Sequence, residues 1–226
     1  MNTPKADLGR HAVLLIALLL LLMVLPLFAP SPFGVPRFRL LVTAVLVAGV
    51  YSVSRHRRIL ITALSLSLPA LVADWVAHFT GFAGAVTANL VLSAAFMGFV
   101  AAAILVSVLQ QDRVTTDTIL GGICVYLLIG MTFVLLFSLV EFSRAGSFLV
   151  NGQELAKLFP DVRERFPTLI YFSFVTLTTL GYGDVQPAGE FAQMLCAGEA
   201  VVGQLYLTIL VARLVGLHIS HARFGN

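Results

Sequence analysis

Apolar runs separated by short polar segments follow one another along almost the whole chain. Six runs are apolar over most of their length, and they cover residues 12–29, 38–54, 59–79, 84–109, 117–141 and 190–217. A helix needs about 20 predominantly apolar residues to cross the hydrocarbon core of a bilayer. The second run is shorter, but the long side chains of Arg39 and Arg55 at its ends can reach the interface. The pattern predicts an all-α membrane protein with six transmembrane helices.

The composition supports a membrane protein. Of the 226 residues, 59% are hydrophobic and 11% are charged, and the mean hydropathy is +0.97, whereas about a quarter of the residues in a soluble domain are charged. The basic residues are scattered through loops, and their one cluster, Arg55 to Arg58, is typical of the cytoplasmic flank of a span. Cys124 and Cys196 lie inside apolar runs, where a lone thiol behaves as a small hydrophobe. We therefore expect contact with membrane lipids, and neither nucleic-acid binding nor a zinc or disulfide framework.

The longest polar stretch lies between the last two apolar runs. Residues 142–166 mix acidic and basic side chains, which predicts a solvated turret outside the membrane with a short helix around Gly152 to Phe159. Pro167 suits the first turn of a helix because its missing N–H has no partner there. Residues Thr168 to Thr178 are therefore predicted to form a helix of about three turns.

A glycine-containing segment follows that predicted helix. Residues 178–184 read Thr-Thr-Leu-Gly-Tyr-Gly-Asp, and the two glycines can adopt backbone angles closed to other residues, so that successive carbonyls can turn toward one axis. The order Thr-x-Gly-Tyr-Gly resembles the selectivity filter of potassium channels, in which backbone carbonyls replace the hydration shell of K+. The resemblance implies a filter formed by Thr179, Leu180, Gly181, Tyr182 and Gly183. It also implies K+ binding at the first four of these residues, and no other cofactor.

The resemblance extends beyond the filter. Residues from about Thr118 to Gly216 resemble the outer helix, pore loop and inner helix of a two-span pore module, and the chain as a whole resembles bacterial six-span potassium channels. The family places the pore loop on the outer side, which implies a multi-pass protein of the inner (plasma) membrane with both termini in the cytoplasm. One filter per chain implies a homotetramer. The expected organisation is a four-helix domain (1–116), a pore domain (117–217) and a short cytoplasmic tail (218–226).

The first four spans depart from the voltage sensors of related channels. A voltage sensor needs several basic residues on its fourth helix, because each elementary charge that crosses the field couples about 2.3 kcal/mol per 100 mV. Residues 84–110 contain no Lys, Arg, Asp or Glu. We therefore predict a channel that is not gated by a charged fourth span.

Three residues are predicted to support the filter. Asp184 follows the last filter glycine, and Val175 cannot supply the carboxylate that some family members pair with this aspartate. We expect the hydroxyl of Tyr171 to bond Asp184 instead. Glu199 lies in the middle of the last span, where an ionisable group usually faces protein or water. It is predicted to form a structural hydrogen bond behind the pore helix, with pH-sensitive coupling to the filter as the alternative.

The rest of the last span suggests cavity and gating positions. Gly203 is either a hinge glycine, as the resemblance implies, or a site of close helix packing. Gln204, Thr208 and Ala212 follow at helical spacing and are predicted to line a water-filled cavity below the filter. Arg213 is predicted to extend to lipid headgroups. Glu141, near the end of the fifth span, is predicted to lie at the outer mouth and to attract cations there.

These features favour a passive K+-selective channel over three alternatives. A potassium transporter subunit built from filter-like loops carries four of them in one chain, and here there is one copy. An intramembrane enzyme is the alternative from another class, and the sequence shows no paired catalytic constellation for it. A non-conducting regulatory subunit would not need an intact filter. The stimulus that opens the pore is not evident from the sequence.

Overall fold

The computed structural model describes residues 9–28, 34–54, 57–111 and 114–224. Eight helices are present in this part of the chain: α1 (Arg10–Phe28), α2 (Gly34–Val53), α3 (Arg57–Thr80), α4 (Ala83–Leu109), α5 (Thr116–Ser143), α6 (Leu155–Leu158), α7 (Val162–Leu177) and α8 (Glu190–Phe224). Three short strands accompany them: β1 (Phe148–Val150), β2 (Gln153–Glu154) and β3 (Val185–Pro187). The six predicted spans correspond to α1 to α5 and α8. Arg55 and His56, the first two residues of the basic cluster, lie outside the described residues.

Four of these helices are long and apolar enough to cross a membrane: α3, α4, α5 and the Glu190–Leu217 part of α8. Among the described residues of α1 and α2, the apolar stretches are shorter, His11–Met23 and Leu40–Val53. A mostly helical membrane protein is thus confirmed, while the count of six spans stays a prediction. Helix α8 continues to Phe224, so most of the predicted tail is helical.

Helix α5 forms the centre of the molecule, since α1, α4, α7 and α8 all pack against it. Its buried apolar side chains belong to one continuous core that also contains Phe96 and Val100 of α4 and Leu169 of α7. Gly122 and Gly130 let neighbours approach α5 closely. An added Cβ at Gly130 would lie 2.9 Å from the Phe174 ring, and one at Gly122 would lie 3.0 Å from Leu210. Helix α8 is far more exposed than α5, so one of its faces has no partner among the described residues.

The turret, residues 144–161, contributes two strands to a small sheet, and the short helix predicted around Gly152 to Phe159 is present over a narrower range. Only α6 is helical there, and the strand order is β2-β1-β3, with β1 antiparallel to both neighbours. Asn151 and Gly152 close the β1–β2 hairpin with φ angles of 49° and 81°. Two positive φ angles in a two-residue loop match the twist of the flanking strands, which is why Asn-Gly favours hairpins. The fold is therefore all-α except for these three strands.

Two buried charges hold the turret in place. Glu141 is 1% exposed, and its carboxylate accepts hydrogen bonds from the N–H groups of Gly146 (3.1 Å) and Phe148 (3.0 Å). The predicted attraction of cations by Glu141 does not fit this burial, because the chain turns back after α5 and presents backbone donors to the carboxylate. The guanidinium of Arg165 donates to the carbonyls of Phe159 (2.7 Å) and Pro160 (2.9 Å). The turret is thus a folded unit rather than a solvated loop.

Helix α7 begins earlier than predicted. It starts at Val162, because the carboxylate of Asp161 accepts a hydrogen bond from the N–H of Arg163 (2.9 Å) and caps the helix. Pro167 is consequently inside the helix and not at its first turn. The C-terminal end, Leu177, is one residue from the prediction. Helix α7 therefore delivers the Thr178–Asp184 segment at its C-terminus.

Candidate functional site

The backbone of residues 179–183 alternates between two conformations. Thr179, Gly181 and Gly183 have positive φ angles of 58°, 61° and 81°, whereas Leu180 and Tyr182 between them do not. In an ordinary strand successive carbonyls point to opposite sides, and such an alternation turns them toward the same side. Glycine adopts a positive φ without a steric penalty, but threonine does so rarely. The backbone strain at Thr179 is typical of a functional segment.

Both ends of this segment are fixed by hydrogen bonds. At the α7 end, the N–H of Leu180 donates to the carbonyl of Val175 and the N–H of Thr179 to the carbonyl of Thr176, each at 2.9 Å. At the other end, the N–H of Asn151 donates to the carbonyl of Asp184 at 2.9 Å, and β3 follows immediately. The segment is thus held between the C-terminus of α7 and the turret sheet.

Four carbonyls between these ends are free within the described chain. Nothing among the described residues donates a hydrogen bond to the carbonyls of Thr179, Leu180, Gly181 and Tyr182. The Gly183 carbonyl differs, since it accepts from the Gln186 side chain at 2.9 Å. Residues 178–183 are all exposed in the single chain. The free carbonyls are those of the four residues predicted to bind K+.

An aromatic pair lies beside the segment. The rings of Tyr171 on α7 and Tyr182 are parallel, with an interplanar angle of 2° and 6.4 Å between centroids. Hydrogen bonding to the carboxylate of Asp184 raises the pKa of the Tyr171 phenol. Tyr171 and Asp184, predicted to form a pair, therefore lie together. Their role as filter supports stays a prediction.

Replacing Tyr171 by phenylalanine is expected to weaken the outer end of the segment without affecting assembly. The substitution keeps the ring and its stacking on Tyr182 but removes the hydroxyl that bonds Asp184. Single-channel recordings of reconstituted protein should show shorter openings or faster inactivation. Open times equal to wild type would contradict a supporting role, and Tyr51→Phe, which lies on α2 far from α7 in the chain, is the control.

Helix α8 has two different faces near this segment. Gln204 extends its side-chain amide toward the hydroxyl of Thr179 at 3.5 Å, and Thr208 and Ala212 continue along the same exposed face. Gly203 faces the other way and is buried. A Cβ on Gly203 would lie 2.6 Å from the carbonyl oxygen of Leu177 at the end of α7. Gly203 therefore packs closely against α7, which is one of the two alternatives that the sequence left open for it.

Glu199 lies behind α7, as predicted. Its side chain is fully buried, and its Oε1 atom is 2.5 Å from the hydroxyl oxygen of Ser173 on α7. The same hydroxyl lies 2.9 Å from the carbonyl oxygen of Gly130 on α5. Sequence reasoning missed Ser173 and Gly130, since nothing in the pattern distinguishes them from other small residues of apolar helices.

Arg213 binds another helix rather than extending to lipid, so that prediction is wrong. Its guanidinium donates to the carbonyl of Leu109, the last residue of α4, and to the carbonyl of Gln111 at 3.1 Å. The last carbonyls of a helix lack intrahelical donors and carry partial negative charge, which favours a cation there. Arg213 thus links α8 to the end of α4.

Comparisons with known proteins agree with this arrangement. Residues 123–218, from α5 into α8, match a family model described as "Ion channel". A relative, "Protein LctB" from Bacillus caldotenax, is 27% identical over 129 residues, which cover 54% of this chain and 93% of that protein. No solved structure matches. The match over the part of the chain that holds α7 and the free carbonyls supports an ion channel family for this membrane protein.

Proposed function

We propose that the protein is a K+-selective channel that conducts passively as a homotetramer. The observation that carries the proposal is the row of four unpaired carbonyls, at Thr179, Leu180, Gly181 and Tyr182, on a backbone that alternates in handedness and is fixed at both ends. Such a row can replace the hydration shell of a dehydrated cation. Metal-binding clusters of His, Cys, Asp or Glu are absent from the described residues, so these carbonyls are the candidate cation ligands.

The unpaired carbonyls also favour an assembly of several chains. Within a membrane, irregular backbone is tolerated only where it is buried in protein or lines a water-filled space, because lipid offers no hydrogen bonds. The single chain leaves residues 178–183 exposed, together with the Gln204 and Thr208 face of α8. Four copies around one axis would enclose both surfaces. The carbonyls would then form rings of four around the ions.

In this tetramer the ions pass in single file. Each ring binds a dehydrated ion, and repulsion between neighbouring ions in adjacent sites lets a selective filter still release them. Helix α7 ends at the segment, so the negative end of its dipole favours a cation at the entrance from the Gln204 side. The plasma membrane, with both termini in the cytoplasm, is the proposed location. Because α4 contains no ionisable residue between Gly84 and Leu109, gating by a charged fourth span is not part of the proposal.

Flux through reconstituted protein tests the proposal. Purified protein in lipid vesicles with an outward K+ gradient is expected to release K+ at a rate that barium lowers, whereas an equal Na+ gradient releases little. Vesicles without protein are the control, and native mass spectrometry of the same preparation should give the mass of four chains. Equal permeability to Na+ and K+ would contradict selectivity.

The remaining functions predict different results in the same experiment. A non-conducting regulatory subunit would form a defined complex but release no K+. A transporter subunit would move K+ only with a second chain or an energy source. An intramembrane enzyme would show neither a tetramer-dependent flux nor a barium effect.

A further inference from the structure

Three helices meet at one hydroxyl oxygen in the fully buried space behind α7. The Oγ atom of Ser173 lies 2.5 Å from Oε1 of Glu199 on α8 and 2.9 Å from the carbonyl oxygen of Gly130 on α5. Ser173 and Glu199 are both 0% exposed. Both distances are within the range of hydrogen bonds. If each contact is a two-centre hydrogen bond, a separate proton lies between each pair of oxygen atoms.

The number of protons available at this site decides the charge of Glu199. A serine hydroxyl carries one proton and can accept two further hydrogen bonds, whereas a carbonyl oxygen only accepts. The proton of Ser173 must therefore point to the Gly130 carbonyl if that contact is a hydrogen bond. The 2.5 Å contact then needs a proton from Glu199, and an ionised carboxylate has none. Two separate two-centre hydrogen bonds exist together only when Glu199 is a neutral acid.

The surroundings of Glu199 agree with the neutral form. Its second oxygen, Oε2, is buried and has no hydrogen-bond partner among the described residues. The titratable groups that face it are the phenol of Tyr126 on α5 and the thiol of Cys196 on its own helix, and from α7 it meets the hydroxyl of Ser173. None of these is a cation. A buried carboxylate with an unpaired oxygen and no cationic partner is costly, and the protonated acid avoids that cost.

We propose that Glu199 is a proton-binding site whose proton completes a hydrogen-bond relay, a chain of hydrogen bonds from Glu199 to Ser173 to Gly130. This relay links α8, α7 and α5. The inference concerns regulation of the proposed channel and rests on that function for its effect on K+ flux. Ser173 lies on the helix that carries the filter segment, five positions before Thr178. The protonated relay fixes this helix between both long helices of the pore domain.

Loss of the proton changes one link of the relay. When hydroxide removes the proton of Glu199 and forms water, the hydroxyl of Ser173 turns its own proton to the new carboxylate. The hydrogen bond to Gly130 then disappears, so α7 stays linked to α8 but loses its link to α5. Alkaline conditions thus weaken the attachment of α7, the helix that carries the filter segment. The protonated form is the conducting one.

Infrared spectroscopy of the purified tetramer tests the proton site without any measurement of conduction. Near neutral pH the spectrum of the wild type should contain the carbonyl stretch of a buried protonated carboxyl group. The band should be absent in Glu199→Gln, unchanged in Glu164→Gln, an exposed residue of α7, and lost from the wild type at alkaline pH. Ser173→Ala keeps Glu199 but removes the acceptor of its proton, so the band should persist at a shifted frequency. Identical wild-type and Glu199→Gln spectra, or an unshifted band in Ser173→Ala, would overturn the assignment.

The pH dependence of K+ release tests the regulatory part. Wild-type flux should fall over the pH range in which the infrared band disappears, by up to about tenfold for each further pH unit, because the protonated fraction falls by that factor. Flux of Glu199→Gln, whose amide donates to Ser173 at every pH, should stay constant across that range. A wild-type flux that does not change while the band titrates would overturn the regulatory role. An infrared band together with no K+ flux in any variant would instead contradict the proposed function and leave the proton site standing.

Discussion

Replacing Gly181 by alanine is expected to abolish K+ flux while the protein still assembles. Gly181 has a φ angle of 61°, and an added Cβ would meet nothing within 4 Å in the single chain. The cost is therefore one of backbone conformation, about 1–2 kcal/mol for an L-residue in the left-handed region. Four copies in a tetramer raise it to about 4–8 kcal/mol, which lowers the population of the conducting form about 10³-fold or more. K+ release from vesicles is the measurement.

Gly189 provides the matched control for this substitution. It lies just beyond β3, its φ angle is not in the left-handed region, and an added Cβ there also meets nothing within 4 Å. Gly189→Ala should conduct like the wild type. Because both variants add the same methyl group, a loss of flux confined to Gly181→Ala assigns the defect to the alternating backbone. Normal flux in Gly181→Ala would mean that its positive φ is not needed for conduction.

Replacing Gly203 by alanine is expected to reduce both stability and flux, through the end of α7. The new methyl group would lie 2.6 Å from the carbonyl oxygen of Leu177 and 2.7 Å from its side chain. A backbone oxygen cannot move by a rotamer change, so α7 and α8 must separate at the residue just before Thr178. Overpacking of this kind costs about 1–3 kcal/mol for each chain. Thermal dissociation of the proposed tetramer should occur at a lower temperature, and K+ release should fall.

Two variants separate this steric effect from a hinge in α8. Gly216→Ala lies on the same helix with nothing within 4 Å of an added Cβ, so it should leave dissociation and flux unchanged. Leu177→Ala combined with Gly203→Ala removes the side-chain contact but not the carbonyl contact, so it should not restore stability. A hinge function predicts another result for Gly203→Ala, namely altered flux at unchanged thermal stability.

The parts of the fold that follow from local chemistry could be predicted from the sequence. The apolar run at 84–109 predicted α4 to within one residue, since a long apolar stretch without charged side chains has no other stable form in a membrane. The two glycines and the tyrosine between them located the segment of free carbonyls. The position of Glu199 behind α7 followed from the cost of exposing an ionisable group to lipid.

Other features depend on partners that sequence patterns do not reveal. Arg213 binds carbonyls of residues 109 and 111, about a hundred positions away, and any helix end offers such carbonyls. The buried carboxylate of Glu141 accepts hydrogen bonds from backbone N–H groups of a turn, and the sequence does not reveal the path of that turn. The turret hairpin is different, because Asn151-Gly152 is a strong hairpin signal in the sequence itself. The charged residues around it favour a solvated loop instead.

The turret hairpin gives access from outside the membrane-spanning helices to the end of the proposed filter. Its tip, Asn151 and Gly152, is exposed, and the N–H of Asn151 donates to the carbonyl of Asp184, the residue directly after the last filter glycine. The strand behind the tip pairs with β3 from Val150–Val185 to Phe148–Pro187. A nanobody bound to this tip would therefore act on the Asp184 end of the proposed filter without entering the proposed ion path. A reporter dye attached there would sense movement of that end through a single hydrogen bond.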